Sequence, residues 1–137
     1  MDIDKVFNLF SREKLIKDNI GGMDISKNSP TYKVLMFQKI MLYSKEMSEK
    51  IINILKTSPT LEKDENLDKY SNHIIYSRGY FWIGKLEEGE FEKVLLDKVN
   101  IPVLKQHLYN SIKYYEGRED FEKCIHLKKF LDFLKNI

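Results

Sequence analysis

Ser29-Pro30-Thr31-Tyr32-Lys33-Val34-Leu35-Met36-Phe37-Gln38-Lys39-Ile40-Met41-Leu42-Tyr43 carries the reading of the fold. Serine before proline marks a helix start. The serine oxygen can accept from an exposed first-turn amide, and proline at the first helical position lacks only an N–H that no helix bond would use. Downstream, Phe37, Ile40, Met47, Ile51, Ile54 and Leu55 recur at intervals of three and four, so one helix is expected to run from Pro30 through Lys56. Residues 34–37 and 40–43 are apolar nearly all round, the pattern of a helix contacted from several sides. The expectation is a mostly α domain built on a long central helix, which Ser58-Pro59 ends.

Upstream, Ile3, Val6, Phe7 and Phe10 repeat at helical spacing, Asp2 or Asp4 can cap the first amides, and Gly21-Gly22 closes the segment before a loop at 23–28. Downstream, 60–71 is polar and charged, a surface connection or a weak helix, and 90–99 reads as a short helix. Ile101-Pro102 starts another helix with Leu104, Leu108, Ile112 and Tyr115 on one face, and Gly117-Arg118 breaks it. The last helix has Phe121, Cys124, Ile125, Lys128 and Leu131 at three-four spacing. So short a link forces the two helices of 101–135 into an antiparallel hairpin. No repeat or linker divides the chain, which reads as one helical domain over 1–137.

The stretch His73-Ile74-Ile75-Tyr76-Ser77-Arg78-Gly79-Tyr80-Phe81-Trp82-Ile83-Gly84 supports two readings. Its aromatic and β-branched residues, with Ser-Arg-Gly in the middle, favour a short β-hairpin. Leu67, Tyr70, Ile74, Arg78 and Phe81 fit a helical stripe equally well as a pattern. Composition tips the balance toward strands. On a strand, Tyr76, Arg78, Tyr80 and Trp82 would share one face, a composition favoured at interface hot spots and able to stack bases. The competing reading, and the stronger one, sends these rings into the core against the central helix.

Composition narrows the function classes. A hydrophobic share of 42% is enough for a core, while 23 basic side chains against 21 acidic ones leave a net charge of +2. That balance creates no large field to steer the protein onto a phosphate backbone, so it argues against dedicated DNA binding and leaves only local patches. The single cysteine, Cys124, rules out a disulfide within the chain and suits a reducing compartment. The acidic start Met1-Asp2-Ile3-Asp4 lacks the order of a secretory leader, and no apolar run spans a bilayer, so a cytoplasmic location without membrane contact is expected. The chain has no alanine, although alanine is the best helix former. An AT-rich genome, that of a low-GC bacterium or a bacteriophage, accounts for this, since alanine codons begin with GC.

Glu119-Asp120-Phe121-Glu122-Lys123-Cys124-Ile125-His126-Leu127-Lys128-Lys129 resembles the UVR motif of excision-repair subunits B and C, which also occurs in partners of a bacterial protease system. The motif's pattern is an acidic pair, an aromatic, Glu, a small pair, then Leu-Arg-Asp, after an amphipathic helix. Here Cys124-Ile125 stands where the family has alanines and Lys128-Lys129 where it has Arg-Asp. The resemblance implies a helical hairpin that docks proteins, often another copy of itself.

No chemistry-bearing set emerges. His73, His107 and His126 have no metal-ligand spacing among themselves or with Cys124, and no cofactor is expected. Cys124 sits at a core-type helical position, and only His107 could reach it across the hairpin. Glu87-Glu88, Glu90, Glu92, Glu119-Asp120 and Glu122 lie among lysines, as on a solvated face. Gly21-Gly22 lacks the residues and spacing of a phosphate loop.

The expectation is therefore a non-enzymatic interaction protein, an adaptor or regulator, with Tyr76, Arg78, Tyr80, Trp82, Phe121, Leu127 and Lys128 as partner-binding residues and self-association through the hairpin as one route. The alternative is a nucleic-acid accessory factor. It would set Lys33, Lys39, Lys45, Arg78, Lys105 and Lys113 on phosphates and stack bases on Tyr80 or Trp82.

Overall fold

The computed structural model describes residues 29–57 and 66–137. The expected N-terminal helix, its Gly21-Gly22 stop, the loop at 23–28, the Ser58-Pro59 stop and most of the 60–71 connection lie outside the described residues.

Helix α1, Pro30–Leu42, starts as its sequence requires: Ser29 Oγ accepts from the Tyr32 amide at 3.2 Å and Pro30 takes the first position. It is buried on nearly every side, with Tyr32, Val34, Met36, Phe37 and Ile40 all within the core. The long central helix expected from periodicity is in fact two segments, because Tyr43 (ψ 18°) separates α1 from α2, Ser44–Lys56. Helical hydrogen bonds run on both sides of it, Tyr43 N to Lys39 O at 3.1 Å and Met47 N to Tyr43 O at 3.0 Å. The burial pattern changes at the same place. A helix embedded nearly all round gives way to one that buries only the narrow stripe of Met47, Ile51 and Leu55.

Helix α3, Leu67–Ile83, replaces the short β-hairpin toward which the composition of 73–84 leans; no strand occurs among the described residues. Gly79, which reads as a turn residue, is instead where two helices meet. A Cβ there would collide with Met41 Cε and sit 3.4 Å from the Phe37 ring, both on α1. The buried face is Ser71, Ile75, Gly79, Trp82 and Ile83, not the stripe of Leu67, Tyr70, Ile74, Arg78 and Phe81.

The expected short helix at 90–99 is a pair of 3-10 turns, Glu88–Lys93 and Leu96–Lys98. Glu90 folds back to accept from the Glu87 amide at 3.0 Å, and Phe91 and Val94 enter the core. Lys33 of α1 grips this segment by donating to Glu90 at 3.2 Å and to the Lys85 carbonyl at 3.1 Å, and Thr31 Oγ1 accepts from the Leu95 amide at 2.9 Å.

Helices α4, Ile101–Gly117, and α5, Phe121–Lys135, form the expected antiparallel pair. Asn100 caps α4, accepting from Val103 N at 3.2 Å, and Leu104, Leu108, Ile112 and Tyr115 are buried as their spacing predicts. On α5 the stripe rotates. Cys124, Leu127, Phe130, Leu131 and Leu134 are buried, while Phe121, Ile125 and Lys128 face out. Helix α3 packs against both α1 and α2, and the first 3-10 turn bridges α1 and α5, so all elements share one apolar cluster.

Candidate functional site

The hairpin tip is built from three residues, Arg118, Glu119 and Asp120. Glu119 takes the left-handed backbone (φ 58°) that closes α4, with its amide donating to Glu116 O at 3.0 Å and the Asp120 amide to Tyr115 O at 2.9 Å. The Asp120 carboxylate accepts from Lys123 at 2.6 Å, and that bond holds its pKa below the usual value. The outward face of α5 then presents Phe121 and Ile125, one turn apart and 60% and 57% exposed, followed by exposed Lys128. Leu127, proposed from sequence as a contact residue, is fully buried and belongs to the core that holds the hairpin shut.

The aromatic residues of 76–82 do not share a face, because helical spacing pairs Tyr76 with Tyr80 and Arg78 with Trp82. Tyr76 stacks on Tyr114 with centroids 4.3 Å apart, and the Tyr115 hydroxyl donates to the Tyr76 carbonyl at 3.0 Å. Tyr80 meets Tyr115 edge-on at 5.7 Å. Trp82 is 5% exposed and packs edge-on to Tyr32 at 5.5 Å, so it is a core residue and not a surface anchor. Arg78 lies over the Phe81 ring at 4.3 Å, with Lys85 Nζ at 3.7 Å from the same ring. Burial drives Tyr115 well above the ordinary phenol pKa and raises Tyr76 and Tyr80 as well.

Of the basic residues expected to contact phosphates, two on α1 are engaged within the protein. Lys33 is paired with Glu90, and Lys39 is buried with its ammonium 3.8 Å from the Tyr43 centroid. Cys124 is buried, its thiol donating to the Ile112 carbonyl at 3.6 Å, and burial pushes its pKa up, away from thiolate. His107 does not hydrogen-bond to it. His126 instead ties the hairpin to the end of α3, with Nε2 3.3 Å from the Ile83 carbonyl.

Two clefts remain. The larger, about 350 Å³, lies between α2, α3 and α4, with Lys45, Glu49, Asp68, Asn72, His107 and Asn110 among its lining residues. Burial lowers the His107 pKa, and its Nδ1 is buried without a hydrogen-bond partner among the described residues. The smaller, about 300 Å³, lies where the start of α3 meets the hairpin tip, lined by Asn66, Lys69, Tyr70, His73 and Arg118. None of this second set was legible as a group in the sequence. Lys69 and His73 are four apart, a signal only once 67–83 is read as a helix, and Arg118 arrives from another element. Among the described residues no cluster of three metal-ligating side chains occurs, and no helix is long and apolar enough to cross a membrane.

No protein-family model matches the chain, and no curated protein and no solved structure is similar to it. The likeness of 119–129 to the UVR motif therefore stays a local resemblance.

Proposed function

We propose that this chain is a non-enzymatic adaptor or regulator that docks another protein on the outward face of its C-terminal hairpin. The observation that supports it is the pair Phe121 and Ile125, large apolar side chains bare to solvent one turn apart on a helix whose opposite face is fully packed. Single exposed apolar residues are common on protein surfaces, but a pair in helical register, followed by Lys128, offers a partner helix both anchor and charge. The resemblance of the same stretch to a protein-docking motif points the same way. Tyr76, Tyr80 and Arg78 serve this reading indirectly by bracing the hairpin against α3 or lying beside it. A nucleic-acid accessory role has less support, because Lys33 and Lys39 are engaged within the protein.

The test compares the full chain with the double variant Phe121→Asp, Ile125→Asp in affinity purification and in light scattering. The reading expects a stoichiometric protein partner, or a second copy of the chain, with wild type and its loss with the variant, while thermal unfolding of the two stays alike. Recovery of no partner and no self-association by wild type would overturn it.

A further inference from the structure

From the smaller cleft's geometry we infer a binding site for a small phosphomonoester, its phosphate held between Lys69 and Arg118 and completed by His73, with the Tyr70 ring beside its organic part. The two permanent cations come from different elements, α3 and the hairpin tip, and face one concavity that no carboxylate lines among the described residues. Some lysines of the described residues are paired, Lys33 with Glu90, Lys123 with Asp120 and Lys129 with Glu88. Neither Lys69 nor Arg118 is in an ion pair with any described residue. Arg118 is steadied instead by the Tyr114 ring, 5.7 Å from its guanidinium carbon.

His73 supplies the third contact. Its Nδ1 lies 2.9 Å from the Tyr114 hydroxyl, which fixes the ring. With Tyr114 donating, the neutral imidazole carries its proton on Nε2, so Nε2 is a donor for an anion. Burial first, and then the charges of Arg118 and Lys123, hold the His73 pKa below 6.5, which favours the neutral ring. Donors arriving from three residues suit a tetrahedral set of oxygens, whereas a planar carboxylate would be satisfied by the guanidinium alone. The volume fits a small molecule, and Tyr70, 49% exposed, leaves a ring open to its organic group. Occupancy would also tie the hairpin tip to α3, two parts that otherwise meet through aromatic contacts such as Tyr76 with Tyr114.

The experiment titrates the full chain with inorganic phosphate and with phenyl phosphate at constant ionic strength, following the His73 ring by NMR. Expected are saturable shifts with both, a rise in the titration midpoint of His73, and tighter binding of phenyl phosphate. Lys69→Gln and Arg118→Gln should each weaken binding about fivefold, the scale of one exposed charge contact, and Tyr70→Ala should abolish the preference for phenyl phosphate while sparing inorganic phosphate. All these side chains are at the surface, and unchanged circular dichroism verifies folding. Shifts that sodium chloride reproduces, or affinities unaltered in both charge variants, would overturn the assignment. So would a 5′-phosphorylated oligonucleotide that binds far more tightly than either probe and is released by salt, since the ligand would then be a nucleic acid.

Discussion

At Gly79 the faces of α1 and α3 come so close that any side chain must displace the Met41 methyl group, with the Phe37 ring already at contact distance. Alanine is expected to be nearly neutral. The obstructing atom is the tip of a flexible methionine, and replacing a mid-helix glycine returns about 1 kcal/mol of helix propensity. Leucine has no such escape, and Gly79→Leu should cost about 2–3 kcal/mol through overpacking. Urea unfolding of the two variants checks the contrast, and equal small effects would mean that the crossing is loose. Cys124 makes a second case at this scale. Its thiol is enclosed and its pKa raised, so iodoacetamide at mild alkaline pH should modify it only as fast as the chain opens, and as fast as a free thiol in denaturant. Rapid labelling of the native protein would place the sulfur at the surface. Both residues show what one-dimensional reading holds. The helical spacing of Cys124 was enough to put it inside, whereas Gly79 looks the same in a list whether it opens a turn or lets two helices touch.

At the scale of elements, the starts of α1 and α4 and the buried face of α4 were legible, whereas the buried faces of α3 and α5 were not. Ser29-Pro30 and Asn100-Ile101-Pro102 specify their caps locally, through a side-chain oxygen and a fixed φ, and α1 and α4 begin there. The buried face of α3 depends on what packs against it. With α1 and α2 on one side and the Tyr114–Tyr115 ridge of α4 on another, small residues such as Ser71 and Gly79 go inside, and Tyr70 and Phe81 stay out. A hydrophobicity pattern cannot anticipate that, because it scores the rings as the core. The hairpin carries a prediction of its own. Glu119 holds the left-handed conformation that favours glycine, so Glu119→Gly should raise stability by about 0.5–1 kcal/mol, the relieved backbone strain exceeding the added freedom of the unfolded chain. On the adjoining helix, Leu127→Ala should cost about 2–5 kcal/mol by leaving a cavity. Phe121→Ala, at an exposed position, should change stability by no more than about 0.5 kcal/mol. Denaturation curves for the three variants separate the turn, the core and the outward face, and a large loss for Phe121→Ala would remove it from the docking surface.

Across the whole molecule, the polar groups that depart from ordinary behaviour make its stability depend on pH in two stages. His107, by burial, and His73, by burial and the charges of Arg118 and Lys123, bind protons less readily folded than unfolded, where the value is 6.5. Their contribution is complete above pH 6.5 and shrinks as the pH falls toward the folded values, because the unfolded chain takes up protons that the folded one refuses. Glu90 acts lower on the scale. The Glu87 amide, opposed by burial and helped by the Lys33 ammonium, holds its carboxyl below 4.5, so the stability it lends persists above that value and disappears as the folded carboxyl is protonated. Urea midpoints measured from neutral pH downward should therefore fall first below pH 6.5 and again below pH 4.5. His107→Gln should flatten the first decline. Glu90→Gln should lower stability at neutral pH and converge on wild type at the acid end, where both side chains are uncharged. A wild-type curve that is level from neutrality down to pH 4.5, with His107→Gln superimposed on it, would show that the imidazole in the larger cleft is solvated after all.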